Sequence, residues 1–368
     1  MTNAAAIIAE SERALAQVPR SPGPRSREFA YYCRRILSLG DRFVAQLDGD
    51  PVWPAGLHAL ALVRAHERFG TASLLATIER FCDTQIDADG RWRARPERVA
   101  HALPAYATLY LHRTMPTPRW ARAVRQMAAF LVHECPREAD GSLRYVPQRP
   151  EILVDTLGMV CPFLAGFGRD FDDADACDVA KRQLVEFTAV NRDADSRLVF
   201  HGYRAGGPYR LGLHGWGRGV GWYLLGLVDA LVELPQGRDQ DLVLALHESV
   251  DALRKFQRPD GHWSWVVPLS DQVRDSSVTA MCGYALARAA NARLLNVDDV
   301  SSLLDAARTA ILAVTDSRGV VGDASGECAG LGVYSMQFGP RPWAQAASAA
   351  FLAEWPTDAP NSKPHVWL

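Results

Sequence analysis

Apolar positions recur at helical spacing along this chain, and they do so in two distinct ways. In one kind of segment they share a single face. Over residues 73–82, Leu74, Ile78, Phe81 and Cys82 fall together, with Glu79 and Arg80 outside them. Over residues 241–256, Leu242, Leu246, Val250 and Leu253 line up opposite Glu248 and Arg254. In the other kind almost nothing is charged and small residues dominate, as in 277–287 (SVTAMCGYALA) and 343–353 (WAQAASAAFLA). A helix that is apolar or small all round is enclosed on every side. Inner helices of the second kind inside outer helices of the first predict an all-α chain built as an α/α toroid. A generic α-solenoid is the structural alternative, and Gly-rich motifs at the starts of the enclosed helices favour a central pocket over it.

Short punctuations separate these stretches. They are Asp48-Gly49-Asp50, Asp89-Gly90, Asp140-Gly141, Asp193 to Ser196, Asp260-Gly261 and Asp316 to Gly319. They recur roughly 40 to 70 residues apart, the signature of a repeated supersecondary unit. Asp and Gly tolerate the positive φ of a tight turn. Six such signals predict six helical hairpins, an (α/α)₆ barrel. Residues 19–27 are rich in Pro, Ser and Arg, so residues 1–28 are expected to form a flexible lead-in. The toroid is expected over 29–356 as one domain, followed by an irregular tail at 357–368.

Composition narrows the function classes more than it selects one. The 368 residues carry 40 basic and 42 acidic side chains, for a net charge of −2 and no long run of one sign. That gives no electrostatic case for nucleic acid or for an anionic membrane as partner. No apolar stretch reaches the ~20 residues of a membrane span. The N-terminal residues lack a basic stretch followed by a long apolar one, so no signal peptide is expected. The seven cysteines are odd in number and contain no C-x-x-C, which argues against a disulfide framework or a structural zinc site. The expected location is a reducing cytoplasm. Oligomeric state is not legible.

Two segments carry candidate chemistry. In His214-Gly215-Trp216-Gly217-Arg218-Gly219-Val220-Gly221-Trp222, glycines separate two Trp and an Arg just ahead of an enclosed helix. Glycine lets backbone approach a ligand closely, Arg offers a planar fork suited to a carboxylate, and Trp offers a plate for a sugar ring. A Gly-rich turn with Trp as core filler is the plainer alternative. In Val154 to Leu164, Asp155 stands alone among apolar residues, a setting that suits a group giving and then taking a proton. Asp is also a favoured helix N-cap, and the two roles are compatible. His201 follows the fourth turn and is a candidate hydrogen-bonding group or a structural His. Trp53 opens the first enclosed helix, and Asp275-Ser276-Ser277 opens another, where the Asp is a candidate cap.

Together these segments resemble the unsaturated glucuronyl and rhamnogalacturonyl hydrolases, glycoside hydrolase families 88 and 105. The stretch from Asp155 to Met159 is similar to that family's Asp-Thr-Leu-x-Met segment, and Trp216 to Trp222 to its Trp-x-Arg-Gly-x-Gly-Trp signature. The Asp275 to Met281 run and the Gly326 to Trp343 segment also fit. The resemblance implies the (α/α)₆ fold, no metal or cofactor, and an acidic oligosaccharide substrate ending in a uronic acid with a C4=C5 double bond. It implies that Asp155 protonates C4 and then activates water to attack C5, whereupon the hemiketal opens and expels the aglycone. It implies further that Met159, His201, Arg218 and Trp222 line the substrate site; Trp53 and Trp216, from their places at enclosed-helix starts, and His101, as a partial substitute for the family's second Asp, are expected there beside them. Two departures stand out. The family's second Asp, four residues before a Pro, is Ala100 here, with His101 beside it, and the Asn of its Gly-x-Gly step is Val220. Three alternatives remain at this stage. One is a toroid that binds or tailors acidic sugars with changed or lost chemistry. Another is a sugar 2-epimerase, which needs two pocket His. The third is an inverting glycosidase, which needs a second carboxylate such as Asp275 ~6.5–9.5 Å from the first.

Overall fold

A computed structural model of the chain describes residues 3–18, 52–205, 209–234, 239–328 and 330–355. The Asp48-Gly49-Asp50 punctuation, Cys33, the Pro-rich part of the expected lead-in and the expected tail lie outside them. Twelve α-helices occur among the described residues. Six of them, α2 (Val52–Phe69), α4 (Ala102–Thr114), α6 (Asp155–Phe171), α8 (Gly217–Glu233), α10 (Ser276–Asn291) and α12 (Pro342–Ala353), form an inner ring. Each touches the next and α12 returns to α2, so the ring closes. The outer helices are α3 (Ala72–Gln85), α5 (Pro118–Ala129), α7 (Ala174–Asn191), α9 (Gln240–Phe256), α11 (Val297–Ala313) and α1 (Asn3–Ala16). This is the (α/α)₆ toroid that the two patterns predict.

The pattern explains the layers. Every residue of 343–353 in α12 and of 276–287 in α10 is buried, as a segment without a polar face requires. Outer helices bury only their apolar stripe: Leu74, Ile78, Phe81 and Cys82 in α3, and Leu242, Leu246, Val250 and Leu253 in α9. Small residues bring inner helices together. A Cβ on Gly226 of α8 would sit 2.5 Å from the backbone of Leu157 in α6. The five described punctuations all turn the chain from an outer helix back toward an inner one. In four of them the Asp Oδ1 accepts local backbone amides: Asp140 from Ser142, Asp193 from Asp195 and Ser196, Asp260 from His262, and Asp316 from Arg318 and Val320. In the first described turn Asp87 plays that part in place of Asp89.

The N-terminal segment differs from expectation. Residues 3–16 are not a flexible lead-in but helix α1, the outer partner of α12, packed also against α2 and α3. Ile7 and Leu15 are fully enclosed at 0% and 1% exposure. Gln345 of α12 donates to the carbonyls of Ile7 and Gly319, and Ser11 Oγ lies 2.6 Å from His58 Nδ1 of α2. Gly319 (φ +88°) fits against this helix because a Cβ there would meet the Ala6 carbonyl at 2.5 Å. The chain thus closes the ring by pairing its first described helix with its last. Ile7→Ala is expected to lower unfolding free energy by about 2–5 kcal/mol, the usual cost of a large core truncation. Urea unfolding checks it, and a change near zero would mean that α1 does not dock.

Two small antiparallel sheets, absent from the all-α expectation, lie in the connections. One has the order β1 (Glu151–Leu153), β2 (Phe200–Arg204), β3 (Tyr209–His214); the other pairs β4 (Ala324–Ser325) with β5 (Phe338–Gly339). They matter because they carry side chains to one end of the toroid. Among the described residues no helix is long and apolar enough to cross a membrane.

Candidate active site

All six inner helices run the same way, so their N-termini gather at one mouth. Asp155 is the first residue of α6, Trp53 the second of α2, Arg218 the second of α8 and Trp343 the second of α12. Trp216 stands at the cap of α8, Asp275 at the cap of α10, and His101 in the 3₁₀ turn that leads into α4. Each helix start carries a partial positive charge, and a ring of six favours an anion.

The Asp155 side chain is 15% exposed, and His201 Nε2 lies 3.3 Å from its Oδ2. The carboxylate does not cap its helix: the cap position is Val154 and no side-chain cap bond forms, so the capping alternative falls. Strand β2 sets the pair, since the Val154 amide donates to the His201 carbonyl immediately ahead of α6. On its other side His201 Nδ1 sits 2.8 Å from the Tyr334 hydroxyl, which also accepts from the Leu213 amide. The His201 ring packs on Trp216 at 4.3 Å between centroids. Burial, with the Asp155 charge adding to it, pushes the Tyr334 hydroxyl up to about 12 and the Cys328 thiol up to about 11. Tyr145 is raised in the same way, by burial first and then by Asp155.

Arg218 is 3% exposed and sandwiched between Trp216 and Trp343, with its guanidinium carbon 4.9 and 5.0 Å from their centroids. Nη1 donates to the carbonyl and hydroxyl of Ser325, and Nη2 to the Gly326 carbonyl. The aromatic wall continues from Trp343 to Trp53, stacked at 5.1 Å, and on to Trp222, edge-on to Trp53 at 6.1 Å.

The sequence-derived residues therefore divide into two groups. Asp155, His201, Trp216 and Arg218 meet in one constellation, with Trp53 alongside and partly exposed. Trp222 and Met159, each 1% exposed, lie in the core beneath the mouth, and Gly158 is the notch that receives the Trp222 ring. His101 is 4% exposed in a turn packed on α2 and α6. Asp275 is enclosed, its Oδ1 accepting from the amide and hydroxyl of Ser277, so it is spent on capping α10. Ala100 is partly buried in the turn where the second Asp was expected. Sequence reasoning missed Trp343, Tyr334 and Ser325. Trp343 was findable, because Trp recurs at inner-helix starts. Tyr334 and Ser325 sit in an irregular connection with no periodicity to announce them.

The model of Glycosyl Hydrolase Family 88 matches residues 36–352. A curated unsaturated rhamnogalacturonyl hydrolase, YesR of Bacillus subtilis, is 23% identical over 263 residues, covering 68% of this chain and 75% of that protein. Among solved structures, a possible member of family 105 from Klebsiella pneumoniae superposes with a TM-score of 0.76 at 21% identity, covering 82% of this chain and 81% of its own. An unsaturated glucuronyl hydrolase from Bacillus sp. GL1, responsible for the degradation of glycosaminoglycan, gives 0.65 at 16% identity, covering 82% and 85%.

Proposed function

From the premise that the chain belongs to glycosyl hydrolase family 88, we propose that it cleaves the unsaturated uronic-acid residue from the end of acidic oligosaccharides by hydrating the C4=C5 bond. The observation that carries this reading is the Asp155–His201 pair at the mouth: one partly exposed carboxylate within reach of an imidazole, ringed by six helix N-termini and Arg218. Addition of water across a vinyl ether needs one group that donates a proton to C4 and then takes one from water attacking C5. A displacement at the anomeric carbon instead needs two carboxyls flanking the bond, and Asp275, the second candidate, is enclosed as a cap. Trp53 offers its open face to a sugar ring, and the uronate carboxylate is drawn by the helix starts and by Arg218.

We place the enzyme in the cytoplasm, a reading supported by free thiols at all six described cysteines. Its partners are then small acidic sugars and neither nucleic acid nor membrane. Ala100 favours a second reading, in which the toroid binds or tailors acidic sugars without hydrolysing them. The deciding experiment offers the purified protein a panel of unsaturated uronyl disaccharides and follows the ultraviolet absorbance of the conjugated double bond. Loss of absorbance with release of the second sugar supports the hydrolase. No loss across glucuronyl and galacturonyl members, with binding retained, supports the second reading.

A further inference from the structure

The hydroxyl of Tyr334 stands at the back of the catalytic pair. It is 2.8 Å from His201 Nδ1 and accepts from the Leu213 amide at 2.9 Å. That amide is a donor only. The phenol keeps its own hydrogen, its pKa being raised by burial, and of these two neighbours Nδ1 is the one that can accept it. The other ring nitrogen faces the Asp155 carboxylate, itself an acceptor. The two contacts select the same tautomer.

We infer that Tyr334 is a positioning residue that locks His201 with its proton on Nε2, so that the ring turns an N–H and not a lone pair toward the Asp155 carboxylate, whose Oδ2 lies 3.3 Å away. This rests on Asp155 being the acid/base group. With Nδ1 protonated instead, the Tyr334 hydrogen would meet only donors and a nitrogen lone pair would face the carboxylate, two repulsive contacts in a buried setting. The groups facing the ring are Asp155 from α6 and Tyr334 from the β4–β5 connection. Arg218 lies across Trp216, and Cys328 next to Asp155 and Tyr334. The 330s connection, which carries no repeat signal, thereby sets the proton geometry of a residue more than a hundred positions earlier in the chain.

The test is nuclear magnetic resonance of the full-length protein with ¹⁵N-labelled histidine at mildly alkaline pH, with His201→Gln identifying the resonance. Correlation of ring nitrogens with ring carbon-bound protons distinguishes the two tautomers directly. The expected wild-type spectrum has His201 protonated at Nε2 and bare at Nδ1. Tyr334→Phe keeps the ring contacts with Trp216 and Trp265 and is expected to give a mixture of tautomers. A wild-type His201 protonated at Nδ1, or an unchanged spectrum in Tyr334→Phe, overturns the inference. Neither measurement requires turnover, so this idea and the proposed activity fail separately. On a substrate that is turned over, Tyr334→Phe is expected to lower kcat about tenfold with KM unchanged, within the range of a general acid–base effect; an unchanged kcat would count against it.

Discussion

Asp155→Asn is expected to keep the toroid and abolish turnover. The side chain sits at the mouth, partly exposed, and neither caps its helix nor makes a hydrogen bond through Oδ2. The amide matches its shape and breaks no hydrogen bond through Oδ2, so the unfolding midpoint should stay within a degree or two of wild type. Activity is another matter. An amide can neither protonate C4 nor take the proton of water, and one group is asked to do both. Loss of a general acid–base group costs about 10²–10⁴ in rate. Here both half-steps depend on it, so kcat/KM is expected to fall at least about a thousandfold, on whichever unsaturated disaccharide the wild type consumes. Binding of that disaccharide, measured by calorimetry, should survive, because Arg218 and the Trp wall are untouched. A variant with a tenth or more of wild-type activity would remove Asp155 from its assigned role.

What could be read from the sequence follows from how local each signal is. Asp140-Gly141 and Asp260-Gly261 announce themselves because a single dipeptide supplies the conformation and the side-chain acceptor. Inner helices announce themselves because an uncharged run such as 343–353 has no face to give to water. Asp155 and Trp216 to Trp222 stand out against their neighbours in the same way. The contribution of α1 does not, because its partner α12 lies more than three hundred residues away. Tyr334 is invisible for the same reason: its value lies in meeting His201 and Leu213 across the fold. A motif records which residues are needed and not how deep each one sits: Trp222 and Met159 are enclosed, while Trp53 is partly exposed.

The opposite end of the toroid yields the second large effect. There the C-terminal ends of the inner helices bring together Arg64 and Glu67 of α2, Tyr106 and Arg113 of α4, Arg169 of α6, Asp229 and Glu233 of α8, Tyr284 and Arg288 of α10, and Glu354 after α12. Glu233 is the hub on one side: Arg113 Nη2 lies at 2.9 Å, Arg169 Nη1 at 2.8 Å, and the Tyr106 hydroxyl donates to it. Arg64 joins this group to Asp229 and Tyr284 through hydrogen bonds to both tyrosines. Cations suit these positions because helix C-termini are the negative ends of the dipoles. Burial alone would raise the Glu233 carboxyl, but Arg113, Arg169 and Tyr106 outweigh it and hold it down at about 2. A carboxyl depressed on folding contributes stability that is complete above its unfolded value and is lost as pH falls toward the folded one. The loss therefore falls between about pH 4.5 and 2 and amounts to about 3 kcal/mol, at 1.36 kcal/mol per unit. Glu233→Gln is expected to cost about 3 kcal/mol or somewhat more at neutral pH, because it leaves Arg113 and Arg169 with a buried uncharged partner. It should also flatten the acid limb of the stability curve in that window. Urea unfolding from pH 7 down to 2.5 measures both. A Glu233→Gln curve parallel to wild type through the acid range would show that this hub does not hold the inner helices together by charge.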